Sequence, residues 1–172
     1  MRTREASLTL PDGTPVRVRP LEDVGRDAYL AALPRLSERS KTLRFAGPKP
    51  RLTTREVDYL MDVGHDGREA LVAQDVATGE IAAIARFAPY PDAPDVADVA
   101  VLVWDEWQGR GLGTALARRL VAEAPRHGIA ELRATTLGDN HGARHMLERA
   151  GFRRTGVSAG VADYALRLEP RS

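Results

Sequence analysis

The chain of 172 residues has no cysteine. That excludes disulfides, thiolate metal sites and a cysteine nucleophile at once. Lysine is almost missing: Lys41 and Lys49 stand alone among many arginines. Together with the many alanines, that bias reads as a GC-rich coding sequence rather than a demand for arginine. Aromatics make up only 5%, and the net charge is +1. No overall field therefore gathers nucleic acid. No apolar run reaches the ~18 residues of a membrane-crossing helix, so no membrane partner is expected. Met1-Arg2-Thr3-Arg4-Glu5 lacks the apolar core of a signal peptide, and a cytoplasmic protein is expected. Internal repeats and low-complexity tracts are absent too.

What is present is ordinary for a globular chain: 43% hydrophobic and 28% charged residues. The length suits one domain over residues 1–172, with a real core. Residues 1–12 read as a polar lead-in ending in a turn at Pro11-Asp12-Gly13. Val16-Arg17-Val18-Arg19 alternates as a strand does. Residues 22–45 carry helical signals broken near Pro34, with a second start at Ser37-Glu38-Arg39-Ser40. Thr53-Thr54-Arg55-Glu56 resembles a capping box ahead of Val57, Leu60 and Met61. Two apolar runs, residues 70–73 and 81–87, flank Thr78-Gly79-Glu80 as a hairpin. Residues 88–95 hold three prolines and are expected to form a loop.

A strand at residues 96–104 follows. Leu112, Leu116 and Leu120 then mark one face of a helix that Pro125 should stop, with Gly128 in its C-terminal turn. A strand at 129–136, a helix at 140–150 and two last strands at 152–155 and 161–168 complete the pass. Adjacent hairpins with one βαβ crossover predict a mixed α/β fold with helices packed on the sheet.

The most informative stretch is Gln108-Gly109-Arg110-Gly111-Leu112-Gly113, between a strand and a helix. Glycines at a helix start gather free N–H groups beside the positive end of the helix dipole, which suits a phosphate. Glycine there also lets the backbone approach the anion closely. A P-loop does not fit, since no Gly-Lys-Ser/Thr follows. A dinucleotide fingerprint does not fit either: its third glycine would fall at Thr114. Asp105-Glu106-Trp107 also separates strand from loop, and the upstream hairpins do not suit a doubly wound sheet.

The stretch resembles the coenzyme A loop of the GNAT superfamily of N-acyltransferases, whose pattern is Gln/Arg-x-x-Gly-x-Gly/Ala. A second landmark, Asn140-His141-Gly142-Ala143 and then Leu147 through Ala150-Gly151-Phe152, resembles that superfamily's Asn-x-x-Ala…Gly-Phe segment. The likeness spans roughly residues 13–168. Ser40-Lys41-Thr42-Leu43-Arg44-Phe45 and Val63-Gly64-His65-Asp66 are similar to the Pat-like branch of bacterial protein lysine acetyltransferases. The resemblance implies a mostly antiparallel sheet of about seven strands, splayed at the cofactor cleft, with helices on both faces. It implies acetyl-CoA as cosubstrate, with no metal. Main-chain groups near Val101, Leu102 and Val103 would hold the pantetheine arm and the thioester. Gln108, Gly109, Arg110, Gly111, Leu112, Gly113 and Thr114 would hold the pyrophosphate, with the Arg110 side chain turned to solvent or the 3′-phosphate. Asn140 reads both as a pantetheine ligand and as a helix N-cap.

The implied reaction is direct attack of a primary amine, on a small molecule or a protein lysine, in a ternary complex. Asp98 is the candidate base, acting directly or through a water; the other reading is an edge carboxylate paired with an arginine such as Arg86. The Pat-like branch carries glutamate there, so aspartate is about 1.5 Å shorter. Leu147 stands where many relatives carry an acid tyrosine, and Tyr164 has no place from sequence. An alternative is a non-catalytic acyl-CoA sensor domain. No fused regulatory nucleotide-binding domain is expected, and the oligomeric state stays open, a homodimer included. His65 with Asp66 reads as a solvated loop, His141 and His145 as an exposed helix face, and Arg118 and Arg119 as solvated. Trp104 and Trp107 read as packing residues.

Overall fold

The computed structural model describes residues 5–40, 53–64 and 66–170. Its strands are β1 (Ala6–Thr9), β2 (Pro15–Pro20), β3 (Glu69–Asp75), β4 (Ile81–Tyr90), β5 (Ala93–Val103), β6 (Glu131–Leu137), β7 (Arg153–Ser158) and β8 (Val161–Arg167). Its helices are α1 (Leu21–Val24), α2 (Arg26–Ala32), α3 (Thr54–Met61), α4 (Leu112–Glu123) and α5 (His141–Arg149), and a further helical turn begins at residues 38–40.

Local chemistry accounts for most of these elements. In β2, Val16 and Val18 are fully buried while Arg17 faces out, the alternation of a strand with one covered face. The β4 residues from Ile81 to Phe87 are all buried, as a strand covered on both faces must be. Thr53 caps α3 with a full capping box, its hydroxyl accepting from Glu56 N–H and Glu56 reaching back to Thr53 N–H. Leu112, Leu116 and Leu120 bury one face of α4. Pro125 converts its end into a 3-10 turn, closed by Gly128 in the left-handed conformation.

The strands form one eight-stranded sheet in the order β1-β2-β3-β4-β5-β6-β8-β7. Every pairing is antiparallel except β5 with β6. That parallel ladder has three steps, Val96↔Glu131, Ala97↔Leu132 and Asp98↔Arg133, and then stops. Beyond it β5 continues to Val103 beside β4, and β6 continues to Leu137 beside β8. The two strands therefore part, and the sheet opens as the family resemblance implies. Helices lie on both faces. Leu21, Tyr29 and Leu60 of α1–α3 meet Ile84, Arg86, Ala100 and Leu102, while Val103 turns its side chain the other way, to α4.

Two expectations are corrected. Ala6–Thr9, read as part of a polar lead-in, is a strand that pairs with β2 at the sheet edge. Its short alternation of half-buried and exposed residues is too weak a period to see in sequence. The proline stretch 88–95 is mostly strand: β4 reaches Tyr90 and β5 begins at Ala93. Pro89 is tolerated because β3 stops pairing at Phe87, so this part of β4 has a free side, and the register shifts between Pro89 and Tyr90.

Candidate active site

The cleft begins where β5 and β6 part. Trp104 N–H bonds the Ala82 carbonyl at 2.9 Å. Main-chain groups alternate sides along an antiparallel pair, so Leu102, two residues earlier, also turns its groups to β4. Val101 and Val103 turn theirs to the opening. Of the three residues expected near the thioester, Val101 thus offers its main-chain groups to the cleft and Val103 its N–H, while the Val103 carbonyl accepts from Gln108 Nε2. Leu102 instead gives the helix layer a buried side chain.

At the end of β5 lies the glycine loop. Gly109 and Gly111 have φ of 72° and 83°, backbone that favours glycine. Gln108, Gly109 and Gly111 are exposed. The first α4 bond runs from Ala115 N–H to the Gly111 carbonyl, and no side chain caps the helix. Thr53 and Asn140 cap α3 and α5 with their own side chains. The N-terminal N–H groups of α4, those of Leu112, Gly113 and Thr114, are left open to an incoming anion. Gly113 has a different reason to be glycine. A Cβ there would lie 3.0 Å from Met146 Sδ and 3.2 Å from Val103 Cγ2, so it sets how closely α4, α5 and β5 pack.

Side chains brace the loop from beneath. Gln108 Nε2 donates to the Val103 carbonyl at 3.0 Å and to Ser40 Oγ at 3.1 Å. Asp105 accepts from Ser40 Oγ, Ser37 N–H and Ser37 Oγ within 2.5 to 2.8 Å. Burial pushes the Asp105 carboxyl up, but those hydrogen bonds outweigh it and hold it below the usual range. Trp104 is fully buried with its indole N–H on the Ala32 carbonyl at 2.7 Å, and Trp107 is buried, so both are packing residues.

The Arg110 side chain meets the β1–β2 turn. Its Nε donates to Asp12 Oδ2 at 2.9 Å and its Nη2 to Thr14 Oγ1 at 2.7 Å. Its guanidinium lies 4.4 Å from the centroid of Trp107. The side chain, 30% exposed, is held by the β1–β2 turn.

Asp98 is exposed on β5 at the last step of the parallel ladder. It shares the helix-side face with Ala100 and Leu102. Tyr90 donates its phenolic O–H to Asp98 Oδ1 at 3.4 Å. Burial and then the Asp98 charge push the Tyr90 phenol up. Arg86 sits opposite Ala100, donates to the Leu60 carbonyl at 3.2 Å and lies over the Tyr59 ring. Asn140 Oδ1 accepts from Ala143 N–H at 3.1 Å, so the cap reading holds. Leu147 is core. Tyr164 is buried on β8 and accepts from Arg144 Nε at 3.2 Å. His141 and His145 are exposed. Arg118 is exposed too, yet it donates to the Arg149 carbonyl at the end of α5. His65 and residues 41–45 lie outside the described residues.

Sequence reasoning did not find Asp12, Thr14, Tyr90 or the Ser37–Ser40–Asp105 group as parts of this region. The Asp12 turn was legible, but nothing local ties it to a loop 98 residues away.

A sheet splayed beside a parallel step, with an uncapped glycine loop at the end of the opening, defines an acyltransferase fold. The Acetyltransferase (GNAT) family model matches residues 34–152. Acetyltransferase PA5475 of Pseudomonas aeruginosa is 30% identical over 146 residues, covering 84% of this chain and 78% of that protein. Acetyltransferase Pat of Mycolicibacterium smegmatis is 33% identical over 95 residues, 55% of this chain but 28% of that protein. The GNAT domain of S. lividans PAT superposes with a TM-score of 0.86 at 30% identity, covering 95% of this chain and 97% of that one. The chain belongs to the GNAT acetyltransferase family and is an N-acetyltransferase.

Proposed function

We propose that this protein transfers an acetyl group from acetyl-CoA to a primary amine, on a small molecule or a protein lysine, by direct attack in a ternary complex. The observation that carries the reading is the opening between β5 and β6, which ends at the uncapped start of α4. The open N–H groups of residues 109–114 suit the pyrophosphate. The Val101 and Val103 main chains suit the pantetheine amides, and a Val101 N–H suits the oxyanion of the tetrahedral intermediate. Asn140 spends its carbonyl oxygen on the cap, which leaves its amide NH2 for the pantetheine arm.

Asp98 stands where the strands part, on the face toward α1–α3, and takes the proton of the attacking amine directly or through a water. An alkyl amine has a pKa of about 10.4, so a base is needed at neutral pH. The chain has no cysteine to carry the acyl group, which supports direct attack. Positioning and oxyanion stabilisation supply most of the rate.

Release of free thiol from acetyl-CoA across an amine panel tests the proposal. Amine-dependent thiol release is the expected result. Tight CoA binding with no turnover on any amine would instead make the chain an acyl-CoA sensor.

A further inference from the structure

The turn between β1 and β2 sits against the glycine loop. Asp12 bridges the two, with Oδ1 accepting from Thr14 N–H at 2.9 Å and Oδ2 accepting from Arg110 Nε at 2.9 Å. Arg110 adds a bond to Thr14 Oγ1 and stacks on the buried Trp107 ring. On the other side of the turn, Pro11 lies 3.7 Å from where a Cβ on Gly111 would be. The loop therefore meets the turn through Arg110, with Pro11 beside Gly111, the residue just before α4 begins.

We propose that the β1–β2 turn is a clasp that holds the glycine loop in its anion-binding shape, with Asp12 and Arg110 as positioning residues. Two loop residues have positive φ, so the open loop has many other conformations to visit. Ordering it before the ligand arrives removes that cost from binding. One edge of the guanidinium, through Nε and Nη2, is hydrogen-bonded to the turn, and one face lies on indole. The usual expectation of an arginine in a phosphate loop is direct contact with a phosphate. Here its charge is matched by a carboxylate instead. Asp12 keeps its charge throughout the working pH range, since Thr14 and Arg110 hold its carboxyl near a pKa of about 2.

The inference rests on the acyl-CoA reading above. Its test is titration calorimetry with CoA and with dephospho-CoA, which lacks the 3′-phosphate. The proteins are wild type, Asp12→Ala, Asp12→Asn, Arg110→Ala and the double alanine variant. Each single variant is expected to weaken CoA binding about three- to tenfold, the size of an exposed ion pair with a cation–π contact. The double variant should be no weaker than the worse single, because both remove one clasp. Preference for CoA over dephospho-CoA should be unchanged in Arg110→Ala. In turnover, Asp12→Ala should raise the KM for acetyl-CoA and leave kcat unchanged, a split that loss of folding does not produce. If Asp12→Ala leaves CoA binding as it was or tightens it, the clasp is overturned. Loss of the CoA preference in Arg110→Ala overturns it equally, since Arg110 would then be a 3′-phosphate ligand. Wild-type protein that binds neither compound overturns the acyl-CoA reading, and the clasp with it.

Discussion

Asp98 of β5 faces Arg133 of β6 at the last step of the parallel ladder, and past this pair the two strands go separate ways. The carboxylate thus stands at the mouth of the opening, exposed, with the Tyr90 hydroxyl on it. A base at that place is reachable by an amine entering from the side of α1–α3.

Asp98→Asn is expected to lower kcat/KM at neutral pH by about a hundredfold, within the usual range for loss of a general base. Activity should recover as pH rises and the amine loses its own proton. The variant should also bring the Tyr90 phenol part of the way down, since burial, the larger cause, remains. A pH–rate profile and an ultraviolet titration measure the two effects. Full activity of Asp98→Asn at every pH would remove the base assignment.

Two substitutions separate the Asn140 cap from its proposed contact with the pantetheine arm. Asn140→Ala should cost about 1 kcal/mol of stability through loss of the cap. Asn140→Ser keeps a capping oxygen but removes the amide NH2. Its melting temperature should stay near wild type while the KM for acetyl-CoA rises. If the serine variant binds acetyl-CoA as wild type does, Asn140 is a cap alone.

Gly113→Ala sets helix propensity against space. Alanine gains at most about 1 kcal/mol over glycine here, the helix-interior value, since Gly113 lies in the first turn of α4. The added methyl meets Met146 Sδ at 3.0 Å and Val103 Cγ2 at 3.2 Å. Methionine can yield, but Val103 is fixed in β5, and overpacking of this kind costs about 1–3 kcal/mol. A net loss of about 1 kcal/mol is expected in urea unfolding, and a more stable variant would show the gap to be slack.

The clasp has a titration of its own. The Asp12 carboxyl lies near a pKa of about 2 against an ordinary 3.8, lowered first by Thr14 and then by Arg110. The sign follows: a depressed carboxylate favours the folded state above pH 3.8, and the contribution fades as pH falls through about 2. Carboxyl-carbon NMR should place Asp12 near that value. In Arg110→Ala it should rise only part of the way, because Thr14, the larger cause, remains with its N–H on Asp12 Oδ1. A full return to 3.8 would make Arg110 the dominant partner.

Much of this architecture was legible in the chain because it is local. Strand alternation at Val16 and Val18, the Thr53 cap and the leucine face of α4 each rest on residues a few positions apart. So does the glycine loop, and its place between strand and helix was read correctly. What could not be read depends on neighbours far along the chain. Pro89 reads as a loop residue until one sees that β3 ends beside it. Nothing local to Arg110 shows that the β1–β2 turn folds onto it. Tyr90 reads as part of a proline loop, although β4 carries it to Asp98. Leu102 cannot be separated from Val101 and Val103 until the hydrogen bond of Trp104 fixes which side each one faces.

A crystal structure with CoA bound tests the central claim most directly. It should show the pyrophosphate on the main-chain N–H groups of residues 109–114, the pantetheine arm between β5 and β6 along Val101 and Val103, and Arg110 still on Asp12. CoA bound elsewhere on the protein, with the opening between β5 and β6 empty, would contradict the account.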